Sequence, residues 1–360
     1  MARALEEHFG NPSSVHAAGR AARDWVERAR AEVASLVGAE VEEIVFCSGG
    51  TEGDNLAIRG AAHETRRRTG RDLVISSPLE HPAVLGSLDL LRREGFRIAL
   101  LPVTSDGEID PAEIVRAGEG GAAIVSLAAA NHEIGNRYPI ADFAAAAHRC
   151  GAIFHTDAVQ AVGRVPFDFA GAGVDLATLS AHKIYGPKGI GAIVRRRGIE
   201  LAAIVVGGPQ ERGHRPGTEN VPGIVGFGAA CTIVGRERVE WALRIERLRD
   251  RLENAALAID GARRFGSSLR VPGAANIGFH GVDGELVMMS LDLAGVAVST
   301  GAACSSGSVE PSAVILALGV SRNEAKQAVR FSLGWENTDA EIDRVIALLP
   351  EITARIRAVG

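Results

Sequence analysis

The stretch Glu43-Ile44-Val45-Phe46-Cys47-Ser48-Gly49-Gly50-Thr51-Glu52-Gly53-Asp54-Asn55, followed by Asp72-Leu73-Val74-Ile75-Ser76, decides the fold. Residues 43–47 form a short, mostly apolar run that stops at a serine and two glycines. Residues 51–68 carry a helical pattern, and 72–76 return to a short buried run. That is one strand–helix–strand unit, whose crossover helix implies parallel pairing. The alternation repeats. Residues 97–101, 122–127, 152–155, 174–179 and 190–194 read as further strands, and 82–94, 111–117 and 140–149 as the helices between them. The expectation is an α/β fold, with a mostly parallel seven-stranded sheet covered on both faces.

Outside this repeat the pattern changes. Residues 14–37 read as a helix stopped by Gly38. Residues 220–258 read as a long helix rich in Arg/Glu pairs four apart. Beyond it, runs 274–279 and 296–299 flank a helix at 283–294, and run 328–332 precedes a helix at 339–358. These read as a smaller α+β lobe. The boundary falls inside the long helix near 235–250, giving a large domain over 1–240 and a small one over 241–360.

Composition narrows the function. The chain has 360 residues, 46% hydrophobic and 23% charged, as in an ordinary globular protein. Its net charge of −5 gives no electrostatic case for nucleic acid. No long apolar run reads as a membrane span, and the first residues lack the apolar core of a signal peptide. The four cysteines, Cys47, Cys150, Cys231 and Cys304, are far apart, with no CxxC pair, so no zinc or other metal site is expected. So sparse a set reads as reduced, and the expected location is cytoplasmic. Of 39 basic side chains three are lysines, Lys183, Lys188 and Lys326, so a reaction needing an amine has three candidates.

In open α/β sheets ligands sit beyond the carboxyl ends of the strands. Three strand ends are informative. After 43–47, the exposed N–H groups around Gly50 and Thr51 suit a phosphate, although the motif taken alone favours a plain strand–helix turn capped by Thr51. After 152–155 stands Asp157, either a crevice carboxylate or a helix cap. After 174–179 come Ser180, His182 and Lys183, the lysine reading either as a reactive amine or as a surface charge. Together, a phosphate cradle, a strand-end carboxylate and a strand-end amine are what pyridoxal 5'-phosphate needs. Lysine binds the aldehyde, Asp157 pairs with the pyridine nitrogen, and Ser180 and His182 add phosphate contacts.

Asn11-Pro12-Ser13-Ser14-Val15-His16, the Ser48–Asn55 run, Glu80-His81-Pro82-Ala83-Val84, His132-Glu133-Ile134-Gly135, Asp157-Ala158-Val159-Gln160, Ser180 to Gly189, and Arg330-Phe331-Ser332-Leu333-Gly334 follow one another in that order over nearly the whole chain. In these motifs the chain resembles the cysteine desulfurases of the NifS/IscS type within the class V aminotransferases. The resemblance implies a fold-type I pyridoxal-phosphate enzyme that converts L-cysteine to L-alanine and passes the sulfur on as a persulfide. It implies a catalytic Lys183, with His81 stacked on the cofactor ring and aiding proton transfer. Gln160 would donate to the cofactor's phenolic oxygen, and Asn131 or His132 would contact that oxygen too. Asn11 and Arg330 would bind the substrate, Arg330 through its carboxylate. Thr218 would reach the cofactor phosphate of a neighbouring subunit, which implies a homodimer. Relatives usually open with a strand and turn reading YLDNAATT, and this chain starts eight residues ahead of Phe9-Gly10 without one.

Cys304 lies in Ser299-Thr300-Gly301-Ala302-Ala303-Cys304-Ser305-Ser306-Gly307-Ser308, a Gly/Ser/Ala-rich stretch expected to be mobile and to leave a thiol accessible. In the family that thiol is the nucleophile. The implied partners are L-cysteine, a second copy of the chain and a sulfur acceptor, either an iron–sulfur scaffold or a thiolation enzyme, with no nucleic acid or membrane. Selenocysteine lyase activity, another class V reaction, or a catalytically impaired paralogue acting as a scaffold are the alternatives.

Overall fold

The computed structural model describes residues 1–7, 9–301 and 310–359, and they divide into two compact units. The first comprises Met1–Leu101, Asp110–Ala129 and Tyr138–Arg238; the second comprises Pro102–Ile109, Ala130–Arg137 and Val239–Gly360.

The first unit opens with helices α1 (Ala2–Glu7) and α2 (Ala17–Val37). His16 caps α2 by accepting the Gly19 N–H, so the helix starts three residues later than the apolar spacing predicts. Alternating elements follow: β1 (Ile44–Cys47), α3 (Gly50–Thr69), β2 (Leu73–Ser76), α4 (Pro82–Arg93), β3 (Arg97–Leu100), α5 (Pro111–Ala117), β4 (Ile124–Ser126), α6 (Ile140–Arg149), β5 (Ile153–Asp157), β6 (Leu176–Ser180) and β7 (Gly191–Arg195). The sheet order is β1-β7-β6-β5-β4-β2-β3. β2 to β6 pair in parallel, while β7 runs antiparallel to both β6 and β1. β1 therefore points the same way as β5 and β6, which brings their carboxyl ends to one edge.

Small residues let α3 lie close on the sheet. Ala57, Ala61 and Ala62 are fully buried, and a Cβ on Gly53 would stand 2.7 Å from Thr178 Cγ2. Ile58, Val74, Leu88, Leu91, Ile124, Leu176 and Ile193 close the core beneath α3 and α4. Each large side chain buried there contributes roughly 1.5–3 kcal/mol.

Helix α7 (Val221–Leu257) carries the chain from the first unit into the second at Arg238. The second unit holds β8 (Ala262–Phe265), β9 (Ala274–Phe279), α8 (Gly284–Leu293), the short α9 (Ala313–Ala317) and α10 (Arg322–Ala325), β10 (Ala328–Ser332) and α11 (Asp339–Val359). Its antiparallel sheet runs β10-β9-β8. Leu248, Leu252, Ile277, Phe279, Leu291, Val329, Ile342 and Leu349 form its core. The short helices α1, α9 and α10 are not legible in the sequence, and two strand assignments differ from its reading. Residues 296–299 are not a strand. The Val296 N–H bonds back to Leu291 at the end of α8, and pairing is confined to the Ser299–Arg330 bridge. The third strand is instead β8, whose exposed Arg263 and Arg264 hide the apolar alternation. Among the described residues no helix is long and apolar enough to cross a membrane.

Candidate active site

Gly191, the first residue of β7, pairs with both Cys47 and Ser180, so β7 starts where β1 and β6 end. Only glycine fits there: a Cβ would stand 2.4 Å from the Leu179 carbonyl oxygen and 2.7 Å from Gly49 Cα. This close approach joins the Gly49–Gly50 turn to the end of β6. Gly49 takes φ +153, and Gly50 begins the 20-residue α3, whose N-terminal dipole and free N–H groups attract an anion. A Cβ on Gly50 would lie 3.1 Å from Val159, just beyond β5, so three strand ends converge here.

Asp157 closes β5 and is buried; one carboxylate oxygen accepts the Val159 N–H at 2.9 Å. Lys183 sits in the single turn Ala181–Ile184 directly after β6. Tyr185, in the left-handed region at φ +64, turns the chain sharply behind it. Lys183 is half-buried, whereas Lys188 and Lys326 are exposed. Burial raises the Asp157 carboxyl above the usual range, with the Val159 N–H and the Lys183 charge opposing it. His81 caps α4, its Nδ1 accepting the Ala83 N–H at 3.1 Å. That bond fixes the tautomer: a neutral ring carries its proton on Nε2. Burial first, and then the Lys183 charge, lower the His81 pKa and keep the ring neutral at pH 7. The same two causes, with Lys188, lower that of His182, whose Nδ1 lies 2.9 Å from the Ser180 hydroxyl.

Around Asp157 lie further buried groups. Asp54, in the first turns of α3, is raised well above the carboxylate range by burial and by the charges of Asp157 and Glu80. Glu80 is pushed up to about 8 by burial and the Asp157 charge, against one N–H bond from Ala128 at 3.1 Å. His155, bonded to Ser126 and Thr178, is pushed down to about 3 by burial and is neutral.

The cradle contains a carboxylate that works against an anion. The Glu52 side chain accepts the Ser48 N–H at 2.8 Å, and Arg215 covers it with bonds of 2.8 and 3.4 Å. Burial works to raise the Glu52 pKa, but the Arg215 and Ser48 hydrogen bonds outweigh it and hold it below the ordinary range. Arg215 belongs to the irregular segment that leads to Thr218, which is exposed. Glu211 pins that segment. Its carboxylate meets the Arg30 guanidinium in a two-pronged pair of 2.7 and 2.8 Å and accepts the Phe46 N–H at 2.8 Å. It thereby caps a donor of β1, an edge strand. Glu211 and Arg212 adopt φ of +47 and +57, backbone strain that this buried pair holds in place. Gln160 is half-buried; its Oε1 accepts from Arg164, leaving its Nε2 as the donor. Asn11 is exposed in the turn before α2, with its Oδ1 on the Ser13 N–H.

These residues fit pyridoxal phosphate. An amine and a buried carboxylate face one sheet edge, and across the Gly191 contact stands a helix start where an added Cβ at Gly50 would crowd Val159. The donor set suits an aldehyde, a ring nitrogen and a phosphate.

The second unit holds the remaining candidates. Arg330 lies in β10; its Nη1 donates to the His132 carbonyl at 3.0 Å, and its Nε is buried without a hydrogen-bond partner among the described residues. Asn131 Oδ1 accepts the N–H groups of Glu133 and Ile134 at 2.8 and 2.9 Å, folding the turn on which His132 stands. His132 is half-buried, with Nε2 3.6 Å from Glu133. Cys304 lies outside the described residues. The other three cysteines are buried, and burial pushes Cys47 up to about 12. Sequence reading passed over Glu52, Asp54, Glu80, Glu133 and Glu211. Glu80 and Glu133 stand beside short apolar runs, and Glu52, Asp54 and Glu211 among glycines and polar residues, where spacing alone does not tell a buried charge from a surface one.

The profile of the class-V aminotransferases matches residues 1–345. A cysteine desulfurase from Cereibacter sphaeroides is 47% identical over 99% of this chain and 92% of its own. One named cysteine desulfurase IscS, from Anaeromyxobacter dehalogenans, is 44% identical over 98% of this chain and 87% of its own. Among solved structures, one titled as a NifS-like protein superposes with a TM-score of 0.90 at 33% identity, covering 98% of this chain and 94% of that one. SspA in complex with cysteine superposes at 0.82 with 31% identity, covering 93% and 94%.

Proposed function

Because the chain belongs to the class-V aminotransferase family, we propose that it works as a pyridoxal-phosphate-dependent cysteine desulfurase, taking sulfur from L-cysteine and leaving L-alanine. The observation that carries this reading is the half-buried amine of Lys183, set beside Asp157 and His81 where the carboxyl ends of β5 and β6 meet the start of α3.

Pyridoxal phosphate, when bound, supplies an aldehyde for an amine and a ring that accepts the electron pair left at the substrate Cα. Gly50, Thr51, Ser180 and His182 bind the phosphate, with the α3 dipole behind them. Asp157 holds a proton on the pyridine nitrogen, its carboxylate kept available by the Lys183 charge. Gln160 Nε2 and either Asn131 or His132 orient the phenolic oxygen. Lys183 takes the proton from the substrate Cα as general base, and neutral His81 offers its Nε2 proton beside it. Asn11 and Arg330 hold the substrate, the planar guanidinium matching its carboxylate.

The Cys304 thiolate attacks the substrate sulfur. A sulfur–sulfur bond forms, the Cβ–S bond breaks, and its electron pair stays on carbon to be protonated. The products are a persulfide on Cys304 and alanine, with no outside oxidant or reductant. The large domain over 1–240 holds the cofactor site, and Cys304 belongs to the sequence of the small domain over 241–360. Thr218 completes the phosphate site of the partner subunit in a homodimer, and an acceptor protein for iron–sulfur assembly or thiolation takes the persulfide sulfur in the cytoplasm.

Two replacements test the reading. Lys183→Ala loses the cofactor's visible absorption band. Cys304→Ala keeps the band and yields no protein persulfide with L-cysteine. Normal sulfur transfer by Cys304→Ala overturns the assignment of the nucleophile.

A further inference from the structure

Glu133 is buried, and the reaction described above gives it no task. Two chain segments distant in sequence meet on it. Ser312, which caps α9, donates its hydroxyl to Glu133 Oε2 and accepts the Ile315 N–H at 3.1 Å. Gly301, at φ +107, packs so closely that an added Cβ would stand 2.5 Å from the same Oε2 and 3.0 Å from Ser312 Cβ. Gly301 and Ser312 bracket the stretch that contains Cys304.

Glu133 is itself held from two sides. Its N–H donates to Asn131 Oδ1 at 2.8 Å, and its carbonyl accepts from Asn276 of β9 at 3.4 Å. The preceding residue, His132, receives the Arg330 guanidinium. Arg330 also holds the start of the stretch through its backbone: Ser299 N–H donates to the Arg330 carbonyl at 3.1 Å, and Arg330 N–H to the Ser299 carbonyl at 2.6 Å. One hydrogen-bonded unit thus joins the candidate substrate-carboxylate residue to both ends of the cysteine-bearing stretch.

We propose that Glu133 is a positioning residue for sulfur transfer, fixing Gly301 and Ser312 together so that Cys304 is presented to a substrate held by Arg330. The proposal rests on the reading of Cys304 as nucleophile. Glu133 does not touch the substrate. Its carboxylate is the acceptor that orders the Ser312 hydroxyl, and its bulk fills the space that makes Gly301 a glycine.

The test measures persulfide formation on Cys304 in single turnover with L-cysteine, using the cofactor-loaded protein, alongside steady-state kcat and KM. Glu133→Ala slows persulfide formation at least ten-fold, while KM stays within two-fold and the visible cofactor band is unchanged. Glu133→Gln keeps an oxygen acceptor for Ser312 and recovers to within about three-fold of the original rate. Ser312→Ala slows the step several-fold, and adding it to Glu133→Ala costs no more than Glu133→Ala alone, because both act through one contact. In the cofactor-free protein, iodoacetamide alkylates Cys304 at least three-fold faster after Glu133→Ala. Persulfide formation at the original rate in Glu133→Ala overturns the proposal, as does Glu133→Gln failing as badly as Glu133→Ala. Should Glu133→Ala not fold, an unchanged rate in Ser312→Ala overturns it equally. Normal transfer by Cys304→Ala overturns the nucleophile and the positioning together. Failure of the positioning alone leaves Cys304→Ala inactive.

Discussion

Replacing Glu80 by glutamine should change the pH dependence of stability in a way no surface carboxylate can. Glu80 is 2% exposed; Oε1 accepts the Ala128 N–H, and Oε2 is buried without a hydrogen-bond partner among the described residues. Burial and the Asp157 charge move its pKa from 4.5 to about 8. A raised carboxyl pKa means the folded protein binds a proton that the unfolded chain has already released. The stabilisation is complete below pH 4.5 and is lost as pH rises through about 8. In that window stability falls by about 1.4 kcal/mol per pH unit through this group, or about 3 kcal/mol between pH 5 and 7. Glutamine has the same shape, keeps the oxygen for Ala128 and cannot ionise. Urea unfolding of the cofactor-free protein at pH 5, 6, 7 and 8 gives the difference between Glu80→Gln and the original chain at each pH. That difference should move in favour of the variant by about 3 kcal/mol from pH 5 to 7 and flatten above pH 8. Taking differences cancels the fixed cost of the amide and the titrations shared by both proteins. A difference constant within about 0.5 kcal/mol across the range would show Glu80 ionising as it does in water, and would refute the reasoning.

Arg30→Met strands the Glu211 carboxylate in the interior and should cost roughly 3–5 kcal/mol in urea unfolding, far more than loss of an exposed ion pair. Arg212→Gly removes the side-chain penalty of a left-handed conformation at an exposed position; the chain should become about 1 kcal/mol more stable, read as a higher urea midpoint. Cys47, Cys150 and Cys231 are buried, so a disulfide reagent should titrate one thiol quickly in the native chain and none in Cys304→Ala. A second fast thiol in the native chain would contradict the burial of these three.

The seven strands of the large sheet were legible because a parallel sheet covered on both faces needs short, nearly continuous apolar runs, and few other structures in a globular chain do. The ends of those runs also gave the places of Asp157, Ser180 and Lys183, since a strand's carboxyl end follows from its direction. β8 was hidden because an edge strand carries solvent-facing arginines, and Arg263 and Arg264 read as loop. Run 296–299 misled because it is apolar and short, yet the Val296 N–H is committed to the end of α8. Pairings across the chain leave no local trace at all. Glu211 finds Arg30 181 residues away, and Glu133 finds Ser312 179 residues away. A charged residue within an apolar surrounding announces that it needs a partner, but only the fold says which.

The buried groups near Asp157 can be ordered by which of them keeps its charge. Asp54, Glu80 and Asp157 share a region with a neutral His155 and the amine of Lys183. Three ionised carboxylates beside one ammonium would leave two uncompensated buried charges, each costing several kcal/mol. Protonation removes that cost, and the carboxyl that ionises first is the one with the strongest compensation. Asp54 has the Thr178 hydroxyl against burial and two like charges, and its Oδ1 finds His155 Nε2 no nearer than 3.8 Å. Glu80 has one N–H bond and no cation acting on it. Asp157 has the Val159 N–H and the charge of Lys183. The proton-holding groups are therefore Asp54 and Glu80, and the negative charge concentrates at the end of β5. Neutral carboxyls and a neutral imidazole around Asp157 also screen it poorly, so its field at the sheet edge is stronger than that of an exposed aspartate. A cation placed there, whether the Lys183 ammonium or a protonated ring nitrogen, meets one carboxylate whose neighbours have given up their charges.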